Sequence, residues 1–408
     1  MKVKKNYKLY LVLLLLILVH QFYFIQTPSN HGCGSDLPIN FLYEPGKFNN
    51  SFSGSTYPQN MKSYSGLFIK VDCDIGGVIV HTGSPRNYLL LEGSNSIERP
   101  LHHISAIPLR YISTGILRVL NIPIENTIIN VYLSKGKVFE QQFYLSWYYA
   151  HILQNFIIIF ISFFIFNKLV NPSLIKTFIF YLLFYLPVLG KEVVSPDMSL
   201  WIPVSILLNF VTLENFDNKD KRIKIFWLTS FSILLYPIFV INFLFIGFLL
   251  LKSIYNKKLK FSETIKEGVI LLVPYISYRI FLFVSGINFQ PATWSYLGKN
   301  IECQSYCQGV WMFVEANTRS GILTELIKRI NSGINSGQFV AFVIILVFSI
   351  GLFILNQGKN NNTTNQSELI LLLIAIVIFL IFVGNFLDRY VNYLPSILLI
   401  NELRKLDN

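Results

Sequence analysis

The sequence predicts an all-α polytopic membrane protein with about nine or ten transmembrane helices and a mixed α/β extracytoplasmic loop domain after the first helix. Of the 408 residues, 53% are hydrophobic, only 14% are charged and the mean hydropathy is +0.50, which is more apolar surface than a soluble fold can bury. Several apolar runs approach the roughly 20 residues that a helix needs to cross a bilayer. The net charge of +12 comes mostly from basic clusters at the ends of these runs. Such clusters set membrane topology, so we expect membrane lipids as partners and no nucleic acid.

Residues 1–25 are predicted to be a cytoplasmic tip and the first transmembrane helix. Lysines precede an apolar run that begins near Tyr10. No small-residue cleavage site follows that run, and the polar pair His20 and Gln21 stands at its end, so an uncleaved span is favoured over a signal peptide. The amino terminus is then inside a cytoplasmic (inner) membrane, and the chain that follows is extracytoplasmic.

Residues 26–143 are predicted to form a folded extracytoplasmic loop, with turn-rich composition and the β-like runs YSGLFIKVD and TIINVYL. The cysteines lie in this loop and in residues 287–337, the second predicted extracytoplasmic loop, as Cys33, Cys73, Cys303 and Cys307. An even number of cysteines on the oxidising side of a membrane favours disulfides. We prefer Cys33 with Cys73 and Cys303 with Cys307 among the possible connectivities. Zinc is disfavoured because CQSYC lacks a second close pair.

The stretch ERPLHHISAIPLRYISTGILRVL, residues 98–120, is predicted to be an amphipathic helix near 100–121. Pro100 suits a first helical position, and Pro108 is expected to kink or divide the helix. The stretch carries three arginines, Arg99, Arg110 and Arg118. A charge at the centre of a span costs roughly 2.5 to 3.5 kcal/mol even on the lenient insertion scale. A helix lying on the outer membrane surface is therefore favoured over a span.

One stripe of this helix carries candidate phosphate ligands. Seven residues advance almost two turns, so His103, Arg110 and Leu117 lie nearly in line. Guanidinium groups match phosphate geometry, so Arg99, His103 and Arg110 are predicted to bind phosphate. Anchoring to lipid headgroups is the equal alternative.

The remaining chain is predicted to form a transmembrane bundle at 144–286 and further transmembrane helices with a tail at 338–408. As one helix, residues 223–252 would be about 45 Å long, well beyond the hydrocarbon core. Basic clusters at both ends favour a short helical hairpin that turns near Tyr236 and Pro237; a long tilted helix is the alternative. The other spans are predicted at 144–166, 173–190, 199–213, 267–286, 338–356 and 368–386. The short apolar run of the tail is a candidate re-entrant or partial tenth span.

An acidic pair in the first loop is the leading catalytic candidate. The segment VDCDIGG has Asp72 and Asp74 two residues apart, so both carboxylates face one side of an extended chain. Such a pair can hold a divalent metal or divide acid and base roles. The alternative is a turn at the end of a strand, because Asp before Gly-Gly is common there.

Further polar candidates lie at the predicted outer membrane face. Arg279 stands near the outer end of its span. Its side chain either belongs to a functional site or extends along the helix so that its charge reaches the membrane surface. Arg389, near the start of the tail, is a further candidate for binding phosphate or lipid. The short loop KEVVSPDMSL supplies secondary candidates, namely Lys191, Glu192 and Asp197. These groups converge on one interface, as a site acting on a membrane-bound lipid phosphate requires.

Several function classes lack their signatures in this sequence. The motifs G-x-x-x-x-G-K-[ST] and G-x-G-x-x-G are absent, so an ATP-driven pump is unsupported. G-x-S-x-G is absent as well. The predicted spans also lack the intramembrane carboxylates that a proton-coupled transporter usually needs.

The layout resembles the GT-C superfamily of membrane glycosyltransferases, and within it bacterial members. The shared features are the amino-terminal span, the large first outer loop with acidic residues and an amphipathic helix, the short helices around Pro237, and the stretch RYVNYLP at 389–395. In that family a polyprenyl-phosphate sugar is the usual donor, and an acidic residue of the first loop is the base or a metal ligand. The family's acidic motif lies just after the first span, whereas Asp72 and Asp74 follow much later.

The resemblance implies an integral membrane glycosyltransferase that moves a sugar to an extracytoplasmic acceptor by inverting displacement. Asp72 or Asp74 would be the base, with a possible divalent metal between them. Arginines would hold the phosphate, namely Arg99, Arg110 and Arg279. The alternative function is a non-catalytic transporter or assembly component of envelope polysaccharide export.

Overall fold

A computed structural model describes the backbone of residues 7–26, 40–42, 68–70, 99–121, 127–132, 138–143, 145–184, 200–286, 337–356, 366–383 and 393–406. Side chains are described within 7–19, 99–121, 146–184, 200–286, 343–355, 367–379 and 393–405. The described residues are predominantly helical, which agrees with the predicted all-α class.

The helices are, in chain order, α1 (Tyr7–Gln26), α2 (Pro100–Val119), α3 (Leu145–Leu169), α4 (Leu174–Phe184), α5 (Trp201–Asn215), α6 (Lys219–Ser232), α7 (Val240–Tyr255), α8 (Phe261–Val284), α9 (Gly337–Asn356), α10 (Gln366–Val383) and α11 (Tyr393–Leu406). A 3-10 turn, Pro237–Phe239, precedes α7. Three described segments are long and apolar enough to cross a membrane: Ser146–Leu169, Pro237–Tyr255 and Phe261–Val284. Shorter apolar helical segments lie within α1, α4, α9 and α10. Their length and composition suit a membrane-associated chain.

Short antiparallel strands are described in the predicted first loop. β1 (Asn40–Leu42) pairs with β2 (Phe68–Lys70), and β3 (Thr127–Tyr132) pairs with β4 (Val138–Phe143). The register pairs Asn40 with Lys70 and Thr127 with Phe143. β2 and β3 lie in the two runs whose composition predicted strands. A mixed α/β domain remains a prediction, because most of residues 26–143 lie outside the described part of the chain.

α6 and α7 form a helical hairpin, as predicted for 223–252. The two helices separate at the turn that contains Tyr236 and Pro237. Their far ends lie together, because Lys258 Nζ is 3.3 Å from Asp217 Oδ1. The single tilted helix that the length also allowed is therefore excluded.

The bundle has two chemically different ends. α5 begins beside the hairpin tip with Trp201, which bonds His102 of α2. It finishes at the opposite end, where Glu214 pairs with Arg404 of α11. We call the first the histidine end, defined by His102, His103 and His151. The second is the ion-pair end, defined by the pairs Arg222–Glu267, Glu214–Arg404 and Asp217–Lys258.

The core between the two ends is filled by aromatic side chains from several helices. Fully buried examples are Phe163, Phe180, Phe210, Phe239, Phe245 and Tyr393. Lipid tails are as apolar as these side chains, so tight packing and interhelical hydrogen bonds hold such a bundle together more than apolar burial does.

α2 packs along α3 in the antiparallel sense. It begins at Pro100, as predicted, and its buried face includes His103 and Leu117 of the predicted stripe. Of the two effects predicted for Pro108, division of the helix does not occur, because α2 is continuous through it; a kink stays a prediction. A proline in a helix removes one backbone hydrogen bond. Here α2 is held from the side, since Ser113 Oγ donates to the Ser146 carbonyl of α3 at 2.8 Å.

Candidate functional site

The amino-terminal turn of α2 docks on the tip of the α6–α7 hairpin. The Leu101 N–H donates to the Leu234 carbonyl at 3.1 Å, which satisfies one of the backbone donors that every helix start leaves open. The guanidinium of Arg99 lies 5.0 Å from the centre of the Tyr236 ring, within cation–π range. A positive side chain is thereby fixed where the partial positive charge of the helix terminus already lies.

Three imidazoles pack together behind this turn. The ring centres of His102, His103 and His151 are 5.2, 5.3 and 5.9 Å apart. All three side chains are fully buried. Because α2 supplies two of the rings and α3 the third, the cluster exists only when these two helices are packed.

Polar side chains from neighbouring helices orient the cluster. Trp201 Nε1–H donates to His102 Nδ1 at 3.0 Å. Gln154 Nε2 donates to the His102 carbonyl and to Ser105 Oγ, both at 2.7 Å. The Gln154 Oε1 accepts from His151 Nδ1 at 2.8 Å. These bonds tie α2, α3 and α5 together with side chains that have defined donor and acceptor roles.

The imidazoles of α2 are held neutral. Burial is the main cause that lowers the pKa of His102 well below its ordinary value, and the neighbouring His103, His151 and Arg99 lower it further. Burial, with His151 and Arg99, lowers the pKa of His103 in the same way. Desolvation penalises the charged imidazolium, so at neutral pH both side chains act as uncharged hydrogen-bonding groups.

The cluster is not arranged as a metal site. Within the described ranges, no group of three His, Cys, Asp or Glu side chains could hold a metal ion. The Nδ1 atoms of His102 and His151 are already engaged by Trp201 and Gln154. The predicted metal at Asp72 and Asp74 lies outside the described residues.

The structure brings together only some of the predicted phosphate ligands. Arg99 and His103 lie in the cluster, close enough for the arginine charge to act on the imidazole. Arg110 lies eleven residues later on the same helix, about 16 Å away along its axis. There it lies 4.6 Å from the Trp147 ring centre and donates to Ser146 Oγ at 3.3 Å. Arg99 and Arg110 therefore lie apart on α2, and the role of Arg110 in binding phosphate stays a prediction.

Arg279 lies on α8 towards the histidine end. α8 runs parallel to α6, since Arg222 pairs with Glu267 near the start and Ser230 Oγ donates to the Leu271 carbonyl further on, at 2.7 Å. Eight further residues carry α8 about 12 Å beyond Leu271. Arg279 therefore lies on the part of α8 nearer the histidine end, and the prediction that this part faces outward stays a prediction.

Other predicted residues lie outside the described part of the chain. They are Asp72, Asp74, Lys191, Glu192, Asp197, Arg389 and the cysteines Cys33, Cys73, Cys303 and Cys307. Their roles remain predictions.

Sequence reasoning missed three residues that build the cluster. His151 and Gln154 stand three apart in the apolar run of α3, and Trp201 begins α5. Two polar side chains at helical spacing inside an apolar run are a readable signal of a buried polar contact. Trp201 carries no such signal, because an aromatic residue at a span end is also typical of a membrane interface.

A second buried polar group lies in the middle of the bundle. Asn242 of α7 donates to Asn209 Oδ1 and to the Ser205 carbonyl of α5, both at 2.8 Å. The Tyr393 hydroxyl of α11 accepts from Asn209 Nδ2 at 2.9 Å and is 2.9 Å from Ser205 Oγ. Tyr393 belongs to the RYVNYLP stretch, so that stretch is bonded directly to α5. Asn242 extends the same network to α7.

No family model, curated protein or solved structure matches the chain. The contacts of the histidine end, described above, therefore carry the functional argument.

Proposed function

We propose that this chain is a GT-C-like integral membrane glycosyltransferase that moves a sugar from a polyprenyl-phosphate donor to an extracytoplasmic acceptor. The observation that carries the proposal is the position of Arg99. Its guanidinium stands at the start of a helix, against Tyr236 and beside two buried imidazoles. A cation at a helix amino terminus is a favourable environment for a phosphate group.

The proposed donor reaches this end of the bundle from the lipid. α2 exposes apolar side chains along its outer face, with Tyr111 68% and Ile112 53% exposed. Because α2 packs along α3, this exposed apolar face lies on the outside of the bundle. In the proposal, a carrier with its phosphate in the headgroup layer meets Arg99 at the start of α2.

The distribution of basic residues supports an orientation of the bundle in the membrane. Basic residues gather towards the ion-pair end, where Lys219, Arg222, Lys252, Lys258, Arg404 and Lys405 lie. Basic ends of spans face the cytoplasm, so we assign the histidine end to the outer face of a cytoplasmic membrane. The nine or ten predicted spans belong to the same proposal.

In the proposed reaction, Asp72 or Asp74 deprotonates the acceptor hydroxyl, which attacks the anomeric carbon while the bond to the carrier phosphate breaks. The carrier phosphate leaves with the electron pair. Arg99 stabilises the charge that develops on it. A divalent metal held by the two aspartates would serve the same step.

The test uses purified protein in lipid nanodiscs with labelled polyprenyl-phosphate sugars and an acceptor extract. We expect sugar transfer by the parent chain and a loss of about a hundredfold in Arg99→Gln, because a charged contact to the leaving group is removed. Arg118→Gln is the matched control, since Arg118 is an exposed arginine near the other end of α2. Turnover that survives Asp72→Asn together with Asp74→Asn would remove the base from the proposal.

The alternative is a non-catalytic transporter or assembly component of polysaccharide export. One observation favours it, namely the buried amides of Asn209 and Asn242 in the bundle interior. Polar groups inside a membrane often mark a pathway. Transport of lipid-linked sugar across vesicles, without transfer, and its loss in Asn242→Leu would favour this alternative.

A further inference from the structure

The hydrogen bond from Trp201 fixes which ring nitrogen of His102 carries hydrogen. An indole N–H only donates, and it lies 3.0 Å from His102 Nδ1. Nδ1 must therefore be the unprotonated acceptor, since a hydrogen on it would collide with the indole hydrogen. A neutral imidazole with Nδ1 unprotonated carries its hydrogen on Nε2.

This Nε2–H points at no acceptor in the part of the chain that the structure describes. Within the described residues, His102 Nε2 is buried and has no hydrogen-bond partner. Its described ring neighbours are His103, His151 and Trp201. Buried donors in folded proteins are almost always paired with protein, water or ligand. The His102 Nε2–H has a fixed direction and no acceptor among the described residues, so an oxygen atom from outside the chain would complete its hydrogen bond.

We propose that His102 Nε2–H donates to a phosphate oxygen of a polyprenyl-phosphate carrier, and that Trp201 is the positioning residue that holds this tautomer. The proposal rests on the function proposed above and names a further contact of the same site. In this proposal His102 provides the hydrogen bond to the phosphate, and Arg99 provides the positive charge beside it.

The charges around the site favour an oxyanion over a cation. The described charge next to the imidazoles is the guanidinium of Arg99. The start of α2 adds its partial positive charge, because Pro100 and Leu101 form the first turn and no side chain caps it. A neutral N–H donor beside two positive groups is the combination that receives a phosphate oxygen and repels a metal ion.

Trp201 acts through His102 and not on the ligand. If the indole were absent, the imidazole could place its hydrogen on either nitrogen. Some molecules would then present an acceptor to the phosphate, which would repel it. The Trp201 indole thus keeps His102 in the one tautomer whose Nε2 donates a hydrogen bond.

Binding is measured with a sugar-free, short-chain polyprenyl monophosphate in nanodiscs, and separately with inorganic phosphate. His102→Gln and His102→Leu form the matched pair, because a glutamine amide nitrogen can reach the position of Nε2 whereas leucine has no donor. We expect about ten- to hundredfold weaker binding in His102→Leu, as for loss of a hydrogen bond to a charged group. His102→Gln should recover most of it, and Arg118→Gln should bind as the parent does.

The tautomer has its own signature. In protein labelled with ¹⁵N-histidine, nuclear magnetic resonance should show one His102 signal pair with Nδ1 unprotonated and Nε2 protonated. Trp201→Phe should give a mixture of tautomers and a severalfold loss of affinity. The Nε2–H proton should shift when the lipid phosphate binds.

The outcomes separate the two proposals, because the ligand carries no sugar. Binding that depends on His102 supports the inference even where no sugar transfer is found, in which case the transferase function fails alone. Parent-level binding by folded His102→Leu, or a protonated Nδ1 in the parent, overturns the inference. If inorganic phosphate binds as tightly as the lipid, the site recognises free phosphate and the carrier assignment is overturned. If His102→Leu does not fold, the comparison of Trp201→Phe with the parent decides in the same way.

Discussion

At the ion-pair end, Arg222 and Glu267 are each 5% exposed and are joined by two hydrogen bonds of 2.9 and 2.8 Å. At the histidine end, equally buried side chains are neutral and His102 keeps one donor without a described acceptor. In the first arrangement each buried charge is neutralised by its partner. In the second, one buried hydrogen-bond donor has no described acceptor, which is unusual in folded proteins. Buried polar groups are therefore paired with each other at one end of this bundle, and at the other end we propose that one of them binds a ligand.

The largest predicted effect lies at the ion-pair end. Glu267→Leu leaves the Arg222 guanidinium buried without its carboxylate, so the free energy of unfolding should fall by about 3 to 5 kcal/mol. Unfolding in mixed micelles with a denaturing detergent measures this loss. Lys258→Ala is the control, because its pair with Asp217 is exposed at both residues and should be worth under about 1 kcal/mol.

The double variant Arg222→Met, Glu267→Leu sharpens the same prediction. With both charges removed, most of the lost stability should return, because an apolar pair of similar volume fits a buried position. Equal losses in the single and double variants would contradict a structural role for the pair.

The next effect is the acid sensitivity of the histidine end. Because the pKa values of His102 and His103 are lowered in the folded protein, the unfolded chain binds more protons below its own histidine pKa of about 6.5. Stability is then full above that pH and is lost as the pH falls. Between pH 7.5 and pH 5.5 the two residues should cost roughly 3 kcal/mol together, because each loses about 1.4 kcal/mol over the one pH unit that lies below the unfolded pKa.

Arg99 and His151 are the other described ionisable groups that act on this pair. His102→Gln should remove about half of the pH dependence while the ion-pair end stays intact. Unfolding curves at the two pH values measure it. A stability that does not change between them would show that the imidazoles are not held neutral.

A smaller effect is expected in the middle of the bundle. Asn242→Ala removes the amide that bonds Asn209 and Ser205. Interhelical hydrogen bonds in membranes are worth about 0.6 to 2 kcal/mol. In this variant Asn209 and Ser205 also lose the hydrogen bonds that they accept from Asn242. We expect a loss of about 2 kcal/mol, with Tyr393→Phe losing about 1 kcal/mol by the same measurement. No change in either variant would mean that this network does not join the helices.

The smallest effect is expected on the outer face of α2. Ile112→Ser replaces a side chain that is 53% exposed, so detergent-solubilised stability should change by less than about 0.5 kcal/mol. Leu117→Ala on the buried face of the same helix is 3% exposed in the parent and should cost about 2 to 4 kcal/mol. Equal losses in the two variants would contradict the described orientation of α2.

Much of this fold could be predicted from the sequence, because local patterns along the chain determine these parts of it. Pro100 marks the start of α2, the length and flanking charges of 223–252 imply a hairpin, and the spacing of His103 and Leu117 gives the buried face. These are properties of neighbours along the chain.

The candidate site was predictable only in part, because its contacts join distant segments. Trp201 reaches His102 across 99 positions, and Gln154 reaches it across 52. Periodicity cannot reveal such pairs. For the same reason, the sequence does not show that the Arg110 side chain contacts Ser146 and Trp147 of α3.

The central claim is that the histidine end and the ion-pair end face opposite sides of a membrane, with the histidine end outside. Reporter fusions in a bacterial host test it directly. Alkaline phosphatase, which folds only in an oxidising compartment, is inserted after Asn121 at the end of α2, or is fused after Asn408. α11 leads to the ion-pair end, so the account predicts an active enzyme at Asn121 and an inactive one at Asn408, where green fluorescent protein should fluoresce. Activity at Asn408 together with inactivity at Asn121, or the same result at both positions, would contradict it.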